Sequence, residues 1–293
     1  MKQSQAKGWA LLSPTIIILV LVGVIPFFYV ICYSVLKYSV YAKPGKNLRF
    51  IGLDNFRKLV FDSDLMAALG RGLVFTISTC ALELILGLGL AILLTYNFWG
   101  KGIFRTVLTL PLAVAPITIG SIWVLMTNLD MGPIPYFFKQ LGINYNIGES
   151  GIQAFWTTVA MDVWHWTPFV ALTLLAGLTT FPKEPFESAQ VDGATRFQVF
   201  RYLTLPLLTP VIVTTLFIRI MDTLRIFDEV WMLTSGGPGT ATRYASIHVA
   251  RMTIRQKNYG YGASMSIFFL YLTVVICWLL LNIVQKVRNE TEL

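Results

Sequence analysis

Six apolar runs, each long enough to cross a lipid bilayer as a helix, dominate this sequence. They cover approximately residues 9–37, 68–97, 106–129, 153–180, 205–233 and 259–286. A helix that crosses the hydrocarbon core needs about 20 apolar residues at a rise of about 1.5 Å per residue. Backbone groups in lipid must be satisfied within the spanning segment, so the runs predict helices. The sequence therefore predicts an all-α, polytopic membrane protein with six transmembrane helices.

The composition excludes the main soluble alternatives. Of 293 residues, 55% are hydrophobic and 13% are charged, whereas a typical soluble domain has about 25% charged residues. Such a chain could not cover a soluble surface without large apolar patches. The net charge is +8, but the basic residues are scattered over the polar segments and form no basic run. A nucleic-acid partner is therefore not expected. The lipid bilayer is the expected environment.

The first run is predicted to be a transmembrane helix rather than a secretory signal. Its apolar stretch from Trp9 to Leu36 is about twice as long as a signal core, and no small-residue cleavage site follows it. No metal site is predicted, because the three cysteines lie singly inside apolar runs and are expected to be packing residues. They are Cys32, Cys80 and Cys277.

The segments between the runs suggest one membrane domain. The chain contains no low-complexity tract and no repeat of 20 to 50 residues. We therefore predict a single domain over residues 9–286, with its core at 68–286 and short termini at 1–8 and 287–293. Counting Lys and Arg in the loops does not decide the orientation, although Lys2 and Lys7 favour a cytoplasmic N-terminus. An even number of spans returns the C-terminus to the same side.

Residues 181–204 form a polar segment that nevertheless has helical character. Glu184 and Glu187 follow prolines at a predicted helix start, where carboxylates complement the positive helix end. Asp192-Gly193 then predicts a break, because glycine accepts a positive φ without steric cost. The segment is predicted to be two short helices that meet at Gly193. It is too polar to span, so it would either dock another protein at the membrane surface or simply connect two spans.

The same segment resembles the EAA signature of ATP-binding-cassette (ABC) importer permeases. The matching residues are Glu187, Ser188, Ala189, Asp192, Gly193, Ala194, Phe200, Leu205 and Pro206. Ser188 stands where alanine is usual, a change between two small residues. In that family the loop is a cytoplasmic coupling helix that docks in a cleft of the ATPase subunit. The resemblance implies the type I ABC importer transmembrane fold, with loop 181–204 and both termini in the cytoplasm.

Nearly the whole chain is also similar to carbohydrate-uptake permeases of the maltose and glycerol-phosphate type. The similarity includes Gly52–Phe56, Leu110-Pro111, Phe227-Asp228 and Gly236–Pro238. The first and last of these motifs are typical of the MalF-like half of a heterodimeric pair. The resemblance implies a second, MalG-like permease subunit, two copies of an ABC ATPase and an extracytoplasmic solute-binding protein, at the bacterial inner membrane. This chain itself is expected to hold no cofactor, since ATP and Mg would bind to the ATPase.

Several ionisable residues lie inside the predicted spans, where a charge costs at least about 2.5 kcal/mol at the bilayer centre. They are Glu83, Asp162, His165, Arg219, Asp222, Arg225, Asp228 and Glu229. The spacings Arg219/Asp222, Asp222/Arg225 and Arg225/Glu229 would let these groups neutralise one another along one helix. Alternatively, the same groups could bind the hydroxyls of a sugar. Both interpretations stay open at this level.

The maltose-type resemblance implies a substrate site near the bilayer midplane, on the fourth and fifth helices. The corresponding positions are Trp166, Phe169, Asp222, Thr223 and Ile226, with Asp162 and His165 on the same stretch of the fourth helix. A carboxylate at Asp222 repels anions and suits hydroxyls, which favours a polyol or monosaccharide. Glycerol phosphate stays an alternative, because Arg219 and Arg225 could offset its charge.

The motifs favour a non-catalytic permease over two other function classes. The sequence has no G-x-x-x-x-G-K-[ST] motif, so ATP would be hydrolysed by another polypeptide. A membrane-embedded enzyme could use Asp162 with His165, or Asp228 with Glu229. However, the chain has two histidines and neither H-E-x-x-H nor G-x-S-x-G. A secondary transporter also needs polar groups at the midplane, and the coupling-loop signature argues against it.

Overall fold

The computed structural model describes residues 2–40 and 48–291, most of which are helical. The first residue and the last two therefore lie outside the described part of the predicted termini. The helices are α1 Lys2–Leu19, α2 Ile25–Ser34, α3 Asp54–Val60, α4 Ser63–Thr95, α5 Lys101–Thr109, α6 Pro116–Met126, α7 Pro133–Gln140, α8 Gly151–Thr179, α9 Glu184–Val191, α10 Arg196–Val199, α11 Leu205–Thr223, α12 Asp228–Leu233, α13 Ala245–Ala250 and α14 Tyr259–Thr291. Strands β1 Leu36–Tyr38 and β2 Leu48–Phe50 pair antiparallel, with Leu36 opposite Phe50.

The predicted six-span architecture is confirmed. Within the described residues, five helical segments are long and apolar enough to cross a membrane, and a bent helix pair can supply a sixth span. The five are Leu11–Ser34, Ser63–Thr95, Gly151–Thr179, Arg196–Thr223 and Tyr259–Asn282. The most apolar window of Leu11–Ser34 has none of its residues buried inside the protein. An apolar helix with an exposed surface is suited to contact with lipid.

The third predicted span, residues 106–129, is bent instead of straight. α5 continues through a 3₁₀ turn at Leu110–Ala113, and α6 departs from that direction by 102°. Pro116 opens α6 and restricts the residue before it, Ala115, which is extended at ψ 141°. Val114 is extended as well, at ψ 134°. A helix cannot continue through two extended residues, so the proline replaces the predicted single helix with a broken pair.

The fifth predicted span, residues 205–233, begins earlier and ends earlier than expected. Helix runs from Arg196 through a π-helical turn at Phe200–Thr204 into α11, and it ends at Thr223. Phe227, at φ −139° and ψ −65°, lies outside helical geometry, and a new helix, α12, follows it. Asp228 and Glu229 consequently occupy the first turn of α12, where the helix dipole favours carboxylates.

The chain packs as two units, 1–65 with 248–272 and 66–247 with 273–293, and the single-domain prediction for 9–286 stays a prediction. In the first unit, the side-chain amide of Asn55 donates to the carbonyl oxygens of Ser34 at 2.8 Å and Leu36 at 3.0 Å. The hydroxyl of Tyr261 donates to the Asp62 carboxylate at 2.6 Å. Asn55 thereby joins the Gly52–Phe56 motif to the end of α2 and to β1.

The second unit has two apolar clusters, and both include residues of α4 and α8. One contains Phe75, Ile119, Trp123, Val159, Met161, Val163, Ile226, Val230, Tyr244 and Ile247. The other contains Ala91, Leu94, Val170, Leu174, Leu175 and Leu208. Along α4, Glu83 lies between Phe75 of the first cluster and Ala91 of the second. The candidate site described below therefore occurs where the packing changes from one apolar cluster to the other.

Gly87 allows α4 and α8 to approach closely one turn after Glu83. A Cβ at position 87 would lie 2.7 Å from Cγ1 of Val170 and 3.2 Å from the backbone nitrogen of Ala171. Small residues permit such close crossings in membrane helices. We expect Gly87→Ala to destabilise the protein by about 1–3 kcal/mol through overpacking, which thermal unfolding in detergent would measure.

The matched control is Gly89→Ala, since a Cβ at position 89 would meet no atom within 4 Å. This second variant should unfold at the temperature of the parent protein. Equal unfolding temperatures for the two variants would contradict the close approach at Gly87.

Candidate functional site

A buried ion-pair network joins α4, α8 and α11. Arg219 of α11 is 1% exposed, and its Nε and Nη2 donate to the two carboxylate oxygens of Glu83 at 2.7 and 2.8 Å. Nη2 also donates to Asp162 at 2.8 Å, and Nη1 donates to Asp222 at 2.8 Å. One guanidinium thus holds three carboxylates from three helices. The two-point contact with Glu83 is the strong, bidentate form of such a pair.

The structure confirms only part of the charge pairing that helical spacing predicted. Arg219 and Asp222, three residues apart, are paired. Arg225 pairs with neither Asp222 nor Glu229 among the described residues; it is exposed, and its Nε donates to the carbonyl oxygen of Met221 at 3.2 Å. The predicted spacing assumed a continuous helix, whereas α11 ends at Thr223. The chain turns there, so Arg225 no longer shares a helical face with the acidic residues that follow.

Glu83 is the partner that spacing along the chain could not supply. It lies 136 residues from Arg219 and is fully buried. Its presence in an apolar run was a signal that it needed a partner, because buried charges in proteins are paired. Which cation it would meet depends on how α4 packs against α11.

Trp166 of α8 lies against the network. The central guanidinium carbon of Arg219 is 4.6 Å from the centroid of the Trp166 ring, which is within the range of a cation–π contact. Phe169 meets Trp166 edge-to-face, with centroids 6.2 Å apart, and packs against the second apolar cluster. Trp166 is therefore positioned by Arg219, while Phe169 contributes to packing.

A second buried pair joins α8 to α12. Nδ1 of His165 is 2.6 Å from Oε1 of Glu229, and their side chains are 2% and 4% exposed. A protonated Nδ1 donates to this oxygen. The other carboxylate oxygen of Glu229, Oε2, is buried and has no hydrogen-bond partner within the part of the chain that the structure describes. That oxygen therefore keeps an unused acceptor position.

A cavity of about 280 Å³ lies beside both pairs. Its lining residues are Pro116, Asp162, Trp166, Asp222, Arg225, Ile226, Phe227, Asp228 and Glu229. The lining combines an aromatic plane with carboxylate oxygens, and the Asp222 side chain is 45% exposed. Such a surface can accept hydrogen bonds from hydroxyl groups and cover the C–H face of a sugar ring.

Four of the seven predicted substrate residues line this cavity: Asp162, Trp166, Asp222 and Ile226. The other three predicted residues are not among the described residues that line the cavity. His165 pairs with Glu229, Phe169 is partly buried against the second apolar cluster, and Thr223 is buried and donates to the carbonyl oxygen of Arg219 at 2.9 Å. Sequence reasoning did not assign Pro116 and Phe227 to the site, because the bend before α6 and the break before α12 place them there.

The polar segment 181–204 has the predicted shape of two helices that meet at Gly193. Gly193 has φ +74°, and its N–H donates to the carbonyl oxygen of Gln190 at 3.1 Å. The N–H of Ala194 donates to the carbonyl oxygen of Ala189 at 2.9 Å. These two hydrogen bonds form a Schellman cap at the C-terminus of α9, in which Gly193 has the left-handed backbone conformation. Thr195 then starts α10 with a capping box, so the direction of the chain is determined at both sides of the junction.

Much of this segment faces outward. Glu187, Ser188, Asp192 and Gly193 are exposed, and Ala189, Ala194, Phe200 and Leu205 are partly buried, whereas Pro206 is exposed at the start of α11. Two apolar side chains, Val191 and Phe197, are 88% and 73% exposed. A cavity of about 890 Å³ separates the segment from the ends of α4 and α8. Exposed apolar side chains beside polar ones are typical of a surface that contacts another protein.

Comparisons with known proteins identify relatives over most of the chain. A family model described as a binding-protein-dependent transport system inner membrane component matches residues 83–289. The trehalose/maltose transport system permease protein MalF of Thermococcus litoralis is 37% identical over 233 residues, which are 78% of this chain and 79% of that protein. The sulfoquinovosyl glycerol transport system permease protein SmoG of Agrobacterium fabrum is 30% identical over 276 residues, 94% of this chain and 89% of that protein.

A solved structure shares the fold. It is a chain of a bacterial ABC transporter involved in the import of the acidic polysaccharide alginate, with a TM-score of 0.81 at 21% sequence identity. The match covers 97% of this chain and 96% of that chain.

Proposed function

The chain belongs to the family of binding-protein-dependent transport system inner membrane components, and we propose that it is the membrane-embedded permease subunit of an ATP-driven carbohydrate importer. Members of this family are transport permeases rather than enzymes. The observation that carries the proposal is the exposed junction at Gly193, which combines a defined shape with outward-facing apolar and acidic side chains. In the family this is the position of the segment that contacts the ATPase.

We assign residues 181–204 as the coupling segment. Glu187, Ser188, Asp192 and Gly193 are solvent-exposed and available to a cytoplasmic ATPase, two copies of which would bind ATP and Mg. With four spans before it and two after it, a cytoplasmic coupling segment would put both termini in the cytoplasm. The chain would lie in the bacterial inner membrane beside a second, MalG-like permease subunit.

A continuous helix connects the coupling segment to the ion-pair network. It runs from Arg196 to Thr223, so Arg219 lies about 35 Å from the start of the helix at about 1.5 Å per residue. Movement of the coupling segment on ATP binding would be transmitted along this helix to Arg219 and Asp222. The three carboxylates that Arg219 holds would then move relative to one another, which changes the cavity that they border.

We propose that the cavity beside Trp166 is the substrate site. Asp222 and Glu229 offer carboxylate oxygens to hydroxyl groups, and Trp166 offers an aromatic plane. The names of relatives, which include a trehalose/maltose system, support a carbohydrate. An extracytoplasmic binding protein would deliver it.

A secondary transporter is the second candidate, because the carboxylates on Arg219 resemble groups that bind coupling ions in such proteins. Reconstitution into proteoliposomes with the partner permease, the ATPase and the binding protein distinguishes the two. We expect uptake of the carbohydrate that the binding protein retains to require ATP and to survive collapse of proton and sodium gradients. Vesicles with a hydrolysis-deficient ATPase are the matched control. Uptake that persists without the ATPase and stops when the gradients collapse would overturn the proposal.

A further inference from the structure

We propose that the cavity beside Trp166 and Asp222 admits carbohydrates that lack an acidic group and disfavours those that carry a carboxylate, sulfonate or phosphate. This inference rests on the proposed function, because it specifies the substrate class of the same cavity. The names of relatives leave the question open, since one names trehalose/maltose and a protein of the same fold imports an acidic polysaccharide.

Carboxylates outnumber cations around the cavity. Its described lining residues include four acidic side chains, Asp162, Asp222, Asp228 and Glu229, and one cationic side chain, Arg225. The adjoining network adds the cation of Arg219 and the carboxylate of Glu83. Five carboxylates therefore face two guanidinium groups, and His165 is a third cation only when it is protonated. This excess of acidic over basic side chains gives the cavity a negative potential.

The Arg219 guanidinium is not available to an anionic ligand. Each of its three nitrogens donates to a carboxylate at 2.7 to 2.8 Å, its side chain is 2% exposed, and it lies over the Trp166 ring. An anion could reach it only by displacing one of these carboxylates. Displacing Glu83 or Asp162 would leave a buried carboxylate without a partner, which is strongly unfavourable, whereas Asp222 is 45% exposed.

Apart from the Arg225 guanidinium and the Trp166 indole N–H, the polar side-chain groups of the described lining residues are carboxylates, which accept hydrogen bonds when ionised. Oε2 of Glu229 is buried and unpartnered among the described residues, and the Asp222 carboxylate is 45% exposed with one oxygen paired to Arg219. The half-exposed Asp222 carboxylate can accept hydrogen bonds from hydroxyl or ammonium groups, whereas an ionised acid has no proton to donate to it. The cavity can therefore hydrogen-bond to ligands that carry hydroxyl or ammonium groups, and its carboxylates repel acidic groups.

The test measures the charge preference of the cavity directly, without transport. In the assembled importer, Cys32 and Cys277 are replaced by serine, and Phe227→Cys places a thiol in the cavity lining. Its reaction rates with a cationic trimethylammonium-ethyl and an anionic sulfonatoethyl methanethiosulfonate are compared. Ile152→Cys is the matched control, since Ile152 is 75% exposed on α8 and is not among the described lining residues of the cavity.

We expect the ratio of cationic to anionic rate to be about tenfold higher at position 227 than at position 152, because clefts of one charge sign concentrate the opposite ion by 10-fold or more. Adding Asp222→Asn and Asp228→Asn should reduce this excess. A ratio at position 227 no higher than at position 152 would overturn the inference. Failure of ATP-dependent uptake would instead overturn the proposed function and leave this ratio unchanged.

A second measurement uses three matched hexoses as ligands. Glucose, glucosamine and glucuronate are each tested for slowing the reaction of the thiol at position 227 with an uncharged methanethiosulfonate. Glucose and glucosamine should protect it more than glucuronate does. Equal or stronger protection by glucuronate would overturn the inference.

Discussion

Replacing Arg219 with alanine should lower the free energy of unfolding by about 3–5 kcal/mol, because it removes the shared partner of a buried ion-pair network. Glu83 and Asp162 would be left as buried carboxylates without a cation, while the half-exposed Asp222 could be solvated. A loss of this size is a large part of the total stability of about 5–15 kcal/mol that is usual for a protein domain. Thermal unfolding in detergent and the yield of folded protein from membranes would measure it.

Two controls separate the charge effect from loss of packing. Arg219→Lys should be intermediate, since an ammonium group cannot contact both oxygens of Glu83 in the planar, bidentate geometry. The triple variant Arg219→Met with Glu83→Gln and Asp162→Asn removes the unpaired charges and should recover much of the lost stability. If Arg219→Ala unfolded like the parent protein, or if the triple variant were no more stable than the single one, the network would not have the energetic role that its geometry indicates.

Replacing Gly193 with proline should abolish ATP-dependent uptake in proteoliposomes. Gly193 has φ +74° and donates its N–H to Gln190 at 3.1 Å. Proline fixes φ near −65° and has no N–H, so it can neither adopt this conformation nor make this hydrogen bond. The end of α9 and the direction of α10 would change, and the outward face that includes Glu187 and Asp192 would no longer fit the ATPase. Uptake and ATP hydrolysis would be measured on the same vesicles.

The chain offers two controls for this variant. Gly193→Asn should retain uptake, because asparagine tolerates the left-handed conformation and keeps the N–H. Gly142 ends α7 with the same φ of +74° and the same type of C-cap, so Gly142→Pro imposes an equivalent distortion outside the coupling segment. The uptake per ATP hydrolysed should fall for Gly193→Pro and not for Gly142→Pro. Parent-level uptake by Gly193→Pro would show that the segment does not couple the two processes.

Local features of the fold could be predicted, whereas features that depend on a break inside an apolar run could not. The six apolar runs and the junction at Gly193 were predictable, since apolar length and a positive φ are properties of a short stretch of chain. The bend before Pro116 was not, although the proline was visible, because prolines are tolerated in membrane helices as well as at their starts. The end of α11 at Thr223 likewise removed Arg225 from the predicted charge pairs.

The substrate site was predicted in part for the same reason. Asp162, Trp166, Asp222 and Ile226 line one cavity, as expected from their positions on two neighbouring helices. His165, Phe169 and Thr223 share those helices but face other partners. Position along a helix fixes the angle at which a side chain leaves it, whereas the neighbour that the side chain meets depends on the packing of the other helices.

By itself, the sequence determined that this protein lies in a membrane, that it has six apolar runs and that it carries a polar segment of two short helices that meet at Gly193. These follow from composition, run length and local backbone geometry. Only the tertiary structure decided which groups Arg219 pairs with. In the sequence it was a cation that could have neutralised an anionic substrate. In the fold, Glu83 from 136 residues away and Asp162 from 57 residues away occupy its donors, because a buried charge takes its partners from whichever helices pack around it.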